Sequence, residues 1–314
     1  GRQRVQVVGD TSLKATWELG DPFWFPSFKT VSLVLSGQIG VNFFVDLSGF
    51  DEYDREACRM TFEVNGKTQE DTYDATFTDS ITGKYYGFTC FVNSVQMADT
   101  IQATLCFGDR IVSQTYSVDA YVKEFQRYRD YYDDATSVLI ESLADYGHYA
   151  QPFLSTQNNW TIGKEHAEMA TRYTDSYNYD EVTASLAEHT VTYDCGTSNV
   201  DSLSYRLVLD SGTMLDLFMD AGGANIVATG TFNGKTYEAE RQKDGRYRIR
   251  VPNISAHLLG ETLHVEGDSG GEFSVDVSAL SFAHTVLSHN LYGNEGNDAM
   301  CAFAAYYEAV KAYR

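Results

Sequence analysis

The side chains able to carry chemistry are many and dispersed. His148, His166, His189, His257, His264, His284 and His289 stand singly along the chain. The run His166-Ala-Glu-Met-Ala170 lacks the second histidine of the H-E-x-x-H zinc motif, and His284 and His289, five apart, fall on different faces of a helix. No P-loop and no G-x-G-x-x-G turn occurs, so two familiar phosphate cradles are missing. Glycoside hydrolysis needs two carboxylates roughly 5–10 Å apart; with 44 Asp and Glu, such pairs arise by chance and none is singled out. Cys58, Cys90, Cys106, Cys195 and Cys301 form no C-x-x-C pair and no Cys/His cluster at zinc spacing. They read as small apolar side chains, with a single Cys90–Cys106 bridge as the alternative. The chain is therefore read as non-catalytic.

Two clusters are denser. Asp46, Asp51, Glu52 and Asp54 crowd Asp46-Leu-Ser-Gly-Phe-Asp-Glu-Tyr-Asp54. Calcium takes 6–8 oxygen ligands from such loops, although the order is not that of an EF-hand. Asp46, Asp51 and Asp54 are the candidate calcium ligands, and calcium is the one cofactor the sequence offers. The second cluster, Trp17-Glu-Leu-Gly-Asp-Pro-Phe-Trp-Phe-Pro-Ser-Phe28, packs two Trp and three Phe into twelve residues. Flat rings beside acids suit the C–H faces and hydroxyls of sugars, which makes Trp17, Trp24 and Phe25 a candidate glycan platform. The competing reading has these rings plugging the end of a core.

The elements that must position such residues emerge from an internal repeat. Leu33 to Asp46 aligns with Leu207 to Asp220 without a gap, and Asn65-Gly66-Lys67-Thr68 recurs as Asn233-Gly234-Lys235-Thr236. Asp99-Thr100-Ile101 resembles Glu261-Thr262-Leu263, Tyr116-Ser117-Val118-Asp119 resembles Phe273-Ser274-Val275-Asp276, and Leu143 to Tyr146 resembles Phe303 to Tyr306. The blocks keep one order. Leu33, Leu35, Ile39, Val41, Phe43, Val45 and Leu47 alternate with mostly polar neighbours, the period of a strand with one buried face. Asn-Gly between strand-like runs is the strongest short hairpin signal, because both residues tolerate the positive φ of a type I′ turn. Phe88–Val92, Ile101–Phe107 and Arg246–Val251 supply further strands. Leu139, Leu143, Tyr146, Ala150 and Phe153 step by three and four, as do Ala299, Phe303, Tyr306, Val310 and Tyr313, which makes an apolar helix stripe in each copy. Val34, Phe44, Val208 and Phe218 point the opposite way from their strands' buried residues, so each helix is expected to cover them on its own copy.

The predicted fold is mainly β, α+β in class: two tandem antiparallel β-sandwich modules, each followed by a C-terminal amphipathic helix. The first module is assigned to residues 1–155 and the second to 201–314. The segment 156–200, in which Trp160–Tyr173 is partly helix-like, is read as an ordered connector because it holds Trp160, Ile162, Met169 and Val182. Length alone suggests about two domains. A formal charge of −21 argues against partners held through phosphates, hence no nucleic acid, and against adsorption to an anionic membrane. No stretch of about 18 apolar residues is present to insert in a bilayer.

The segments Phe88–Leu105, Tyr116–Tyr121, Leu143–Phe153, Ser204–Asp220 and Ala304–Tyr313 together resemble a module of secreted proteins from Gram-positive gut anaerobes. In that family the module is a C-terminal unit of long multidomain cell-surface proteins, preceded by leucine-rich repeats, β-grasp-like repeats or glycoside-hydrolase domains. The resemblance spans most of residues 28–314 and brings no catalytic residues with it. It implies an extracellular or cell-wall-associated location, attachment to other domains of a longer parent, and contact with glycans or host and cell-wall components. The expected role is that of a non-catalytic structural or adhesive module. The alternatives are a carbohydrate-binding module and an accessory domain of a glycan-degrading enzyme.

Overall fold

A computed structural model describes residues 26–34, 38–107, 110–156, 166–209 and 212–313. The described residues form sixteen strands in four antiparallel sheets together with six helices, so the chain is mainly β. In the first half, β1 (Ser27–Val34), β2 (Gly40–Asp46) and β5 (Tyr86–Phe91) make a sheet in the order β1-β2-β5. Its companion joins β3 (Arg59–Val64), β4 (Lys67–Thr72), β6 (Ile101–Phe107) and β7 (Arg110–Tyr116) in the order β4-β3-β6-β7. A short α1 (Glu52–Glu56) precedes β3, and α2 (Val118–Tyr128) and α3 (Asp134–Thr156) follow β7. The connector holds α4 (Tyr179–Ser185) and β8 (Thr192–Asp194). Next come β9 (Ser202–Val208), β10 (Met214–Asp220), β11 (Val227–Phe232), β12 (Lys235–Glu238), β13 (Glu240–Arg241), β14 (Tyr247–Val251), β15 (Leu263–Asp268) and β16 (Glu272–Val277). These assemble as β13-β14-β10-β9 and β12-β11-β15-β16-β8, and α5 (Ala279–His289) and α6 (Gly293–Tyr313) end the chain.

The order β1-β2-β5 recurs as β9-β10-β14, and β4-β3-β6-β7 recurs as β12-β11-β15-β16. Even the ladders agree: Ser32 pairs Asn42 and Asn42 pairs Thr89, while Arg206 pairs Asp216 and Asp216 pairs Arg250. Local chemistry explains the hairpins. Asn65 and Asn233 lie at φ of 52° and 45° and their glycines at 73° and 72°, the conformation a two-residue turn imposes and most side chains resist. Alternation explains the cores: Val41, Phe43 and Val45 are fully buried, and Phe43 of β2 meets Phe62 of β3 with ring centres 5.6 Å apart. One aligned block needs correction. Ser117 caps α2 and Ser278 caps α5 through the same side-chain bond to the third helical N–H, so Tyr116-Ser117 corresponds to Val277-Ser278 and not to Phe273-Ser274.

The helix stripes find a different partner from the one expected. Helix α3 packs against α6: Tyr146 lies 5.5 Å from Phe303 and stacks on Tyr306 at 5.7 Å, with ring planes 11° apart. Phe153 near the end of α3 meets Tyr292 just before α6, so the helices run antiparallel. Phe44 packs instead on Phe77, and Phe218 lies beneath the guanidinium groups of Arg206 and Arg246. A stripe declares that it needs cover, and a second stripe of matching residues covers more apolar area than two isolated strand residues do.

In the connector, residues 157–165, which include the start of the helix-like stretch, lie outside the described residues. Residues 166–177 form no helix; they run along α3, where Asp145 accepts from the Tyr173 N–H (2.6 Å) and Tyr177 hydroxyl (3.2 Å), and Gln151 donates to the Ala167 carbonyl (2.9 Å). Helix formation here would break these side-chain-to-backbone bonds. The regular helix is α4, started by Asn178 accepting from the Glu181 N–H. Beyond it, β8 adds to the edge of the second half's larger sheet.

Candidate functional site

A cleft of about 300 Å³ opens between the two halves, and both contribute to it. The first half supplies Ile39, the Lys67-Thr68-Gln69 start of β4, the Phe91–Ser94 segment and Tyr146; the second supplies Leu209, Thr213, Ile254, Ala256, Leu259, Phe303 and Tyr306. The positioning follows from the fold. The α3–α6 pair sets the Tyr146, Phe303 and Tyr306 rings side by side. The Asn-Gly turn swings Lys67 to the rim, and 3-10 turns at Ser94–Gln96 and Ala256–Leu258 bring Ser94 and Ala256 to the walls. Gln69 is fixed by two bonds to the Phe91 backbone, at 2.6 and 3.2 Å. Gln38 donates to Asn253 across the junction at 3.0 Å.

Ser94 donates its hydroxyl proton to the Leu209 carbonyl of the other half at 3.5 Å. The position matching Ser94 in the second 3-10 turn is Ala256, whose methyl offers no partner. The Tyr306 hydroxyl is buried and, among the described residues, has no hydrogen-bond partner. Burial pushes the Tyr146 and Tyr306 phenols far above the usual tyrosine range, so each stays protonated and each is a donor. A buried hydroxyl without a partner costs about 1–3 kcal/mol. Among the described residues no acidic side chain lines the cleft, and Lys67 has no ion pair.

The sequence-nominated residues lie elsewhere. Trp17, Trp24 and Phe25 fall outside the described residues. Asp46 accepts from the Ser48 N–H at 2.9 Å, and burial, which would raise its pKa, is outweighed by the bonds from Ser48 and by Lys29, which lower it. Asp51 caps α1 by accepting from the Asp54 N–H at 2.8 Å. The carboxylates of Asp46 and Asp51 thus serve the local backbone, and among the described residues no group of three or more His, Cys, Asp or Glu is gathered for a metal. All five cysteines are free thiols: Cys58, Cys90 and Cys301 are buried, which pushes them up to about 11, 12 and 12, and Cys106 and Cys195 are exposed.

One run escaped the motif reading. Gly267-Asp268-Ser269-Gly270-Gly271 has the G-x-S-x-G spacing of a hydrolase elbow. That elbow needs a strand, a sharp turn and a helix; here the run is the hairpin between β15 and β16. Ser269 is buried, its hydroxyl has no partner, and its backbone carbonyl accepts from the Asn199 N–H at 2.7 Å. Among the described residues no histidine is hydrogen-bonded to the hydroxyl. The cleft itself was not visible in the sequence, because its walls come from seven separate segments. The one available signal was Ala256 standing at the position that matches Ser94, which becomes readable only once the strand register is known.

No family model matches the chain, and no curated protein matches it.

Proposed function

We propose that the chain is a non-catalytic binding module of an extracellular bacterial surface protein. It consists of two copies of one unit, a two-sheet β-sandwich with a trailing helix, joined through α3 and α6. The bound species is a small molecule held in the cleft between the copies. The repeated strand order and ladder register support the duplication. The observation that carries the binding reading is the cleft of about 300 Å³ that residues of both copies build together. Polar side chains beside apolar ones in a concave site between two units are a usual setting for a ligand. The role in a longer surface protein rests on the resemblance of residues 28–314 to secreted modules.

The test is a fragment screen observed by NMR on the labelled chain. Binders are expected to perturb amides of Ile39, Ser94, Thr213 and Ala256 together and to raise Tm. The variant Thr213→Trp fills the cleft and is expected to abolish those shifts while keeping the parent's fold, checked by its own melt. Binding that survives Thr213→Trp unchanged contradicts the proposal.

A further inference from the structure

The larger sheets of the two halves differ at one edge. In the second half β8 lies along β16, with Thr192 opposite Asp276, Tyr193 opposite Val275 and Asp194 opposite Ser274. In the first half β7 ends its sheet and, among the described residues, pairs only with β6. Ser117 and Ser278 cap matching helices, so Ser113, Gln114 and Thr115 of β7 correspond to Ser274, Val275 and Asp276 of β16. Phe273, Val275 and Val277 of β16 are all buried. Their counterparts Val112, Gln114 and Tyr116 are only half-buried, and Ile111 beside them is 66% exposed. An open strand edge presents a row of N–H and C=O groups that another extended segment can pair.

The chain carries a second version of the covering strand. Thr192-Tyr193-Asp194-Cys195-Gly196 matches Thr16-Trp17-Glu18-Leu19-Gly20 position by position: threonine, an aromatic ring, an acid, an apolar side chain and glycine. The spacing agrees as well. Residues 195–201 join β8 to β9, and residues 19–26, one more, separate Glu18 from β1. The glycine has a local reason: Gly196 lies at φ of 46°, and a Cβ there would sit 2.8 Å from the Glu272 carbonyl. We infer that Thr16–Glu18 adds to the open edge of β7, with Thr16 opposite Thr115, Trp17 opposite Gln114 and Glu18 opposite Ser113. This interface is independent of the ligand cleft. Backbone bonds to the edge supply the attraction, and the Trp17 ring shares a face with Gln114 and reaches its neighbours Val112 and Tyr116. The short tether keeps the segment at high local concentration, which favours this chain's own strand over that of a second copy. Trp17 then covers a sheet edge and is no part of a sugar platform.

Amide hydrogen exchange of the full chain, read by NMR at single residues, tests the pairing. Alternate β7 amides point away from β6, and in the parent these are expected to exchange slowly. Thr16→Pro with Trp17→Pro removes the donor that faces β7, whichever of the two it is, because adjacent N–H groups point to opposite edges. The double variant is expected to speed exchange at those β7 amides by about tenfold or more, with the central strands β3 and β15 unchanged as proof of folding. Thr192→Pro with Tyr193→Pro is expected to do the same to β16. Trp17→Tyr, which installs the ring of the second version, is expected to keep β7 protected. Fast exchange at every outward β7 amide of the parent, or slow exchange that survives the double proline variant, overturns the inference. Protection that appears only as protein concentration rises, together with a dimer in sedimentation, gives the strand to a second copy and overturns it as well.

Discussion

Asn42 and Asp216 sit at the same place in two sheets of the same strand order, and each is handled differently. In the first half Asn42 donates to Ser32 (3.0 Å) and accepts from Thr89 (2.8 Å), whose N–H is taken by Asp71 (2.7 Å). In the second half the matching triad is Arg206, Asp216 and Arg250: Asp216 is fully buried, with bonds of 2.6–3.1 Å to the two guanidinium groups. Burial alone would raise the pKa of Asp216, but hydrogen bonds and charge from Arg250 and Arg206 outweigh it and hold the carboxyl below its usual value. One backbone lattice thus supports a neutral network or an ionic one. What the lattice requires is that the central group, half-buried as Asn42 and fully buried as Asp216, be satisfied, because the cost lies in leaving it without partners.

Removing the partners on each side would sharpen that contrast most. Arg206→Ala with Arg250→Ala strands a buried carboxylate and is expected to cost about 3–5 kcal/mol in urea unfolding. Ser32→Ala with Thr89→Ala strands a neutral amide and is expected to cost about 1–3 kcal/mol. Equal losses would break the comparison. Transplanting the neutral triad, with Arg206→Ser, Asp216→Asn and Arg250→Thr together, is expected to cost less than the double arginine removal, since no group is left unpaired.

A smaller difference lies where the long helices meet the loops. In α3, Gly147 faces the sulfurs of Met97 and Met169; the matching α6 position is Tyr307, which faces Gly260. Volume has moved from the loop to the helix. A Cβ on Gly260 would sit 2.5 Å from the Tyr307 hydroxyl and 2.9 Å from its ring, so Gly260→Ala is expected to cost about 1–3 kcal/mol. A Cβ on Gly147 presses on two methionines, which yield more readily, and alanine favours the helix by about 1 kcal/mol. Gly147→Ala is therefore expected to be the milder change in the same unfolding assay.

The smallest expected effect is a pH response confined to the second half. His264 on β15 pairs Asp276 on β16, where the first half has Gln102 and Thr115. Hydrogen bonds from His264 to Asp276 and Glu266 raise the histidine pKa above its ordinary 6.5. The stabilisation is fully present below 6.5 and is lost as pH rises through the folded value. Asp276 also accepts from Thr192 of β8 (3.0 Å), so raising pH from 6 to 9 is expected to speed amide exchange at Thr192–Asp194, after correction for the intrinsic rate, and to leave β7 unchanged. A uniform response in both halves would contradict the local assignment.

What the sequence made legible was local. Two Asn-Gly turns, strand alternation from Ile39 to Leu47 and the helix stripes through Tyr146 and Tyr306 all follow from neighbouring residues, and all are present among the described residues. The cover for those stripes was misplaced because periodicity names a face and not its partner. The block at Tyr116 slipped by four residues because Phe-Ser-Val-Asp imitates it in composition, whereas the capping serine marks the true register. The calcium candidates share a short segment, in which Asp46 and Asp51 accept from nearby N–H groups. The cleft depends on contacts between residues more than a hundred apart, such as Ser94 with Leu209, which no local pattern encodes.

The central claim is that residues of both halves build one ligand cleft. An NMR-observed fragment screen on the parent chain and on Thr213→Trp tests it most directly. The account predicts binders that shift cleft amides of both halves together in the parent and leave them unshifted in Thr213→Trp. Equal shifts in the two proteins, or shifts confined to one half, would contradict it.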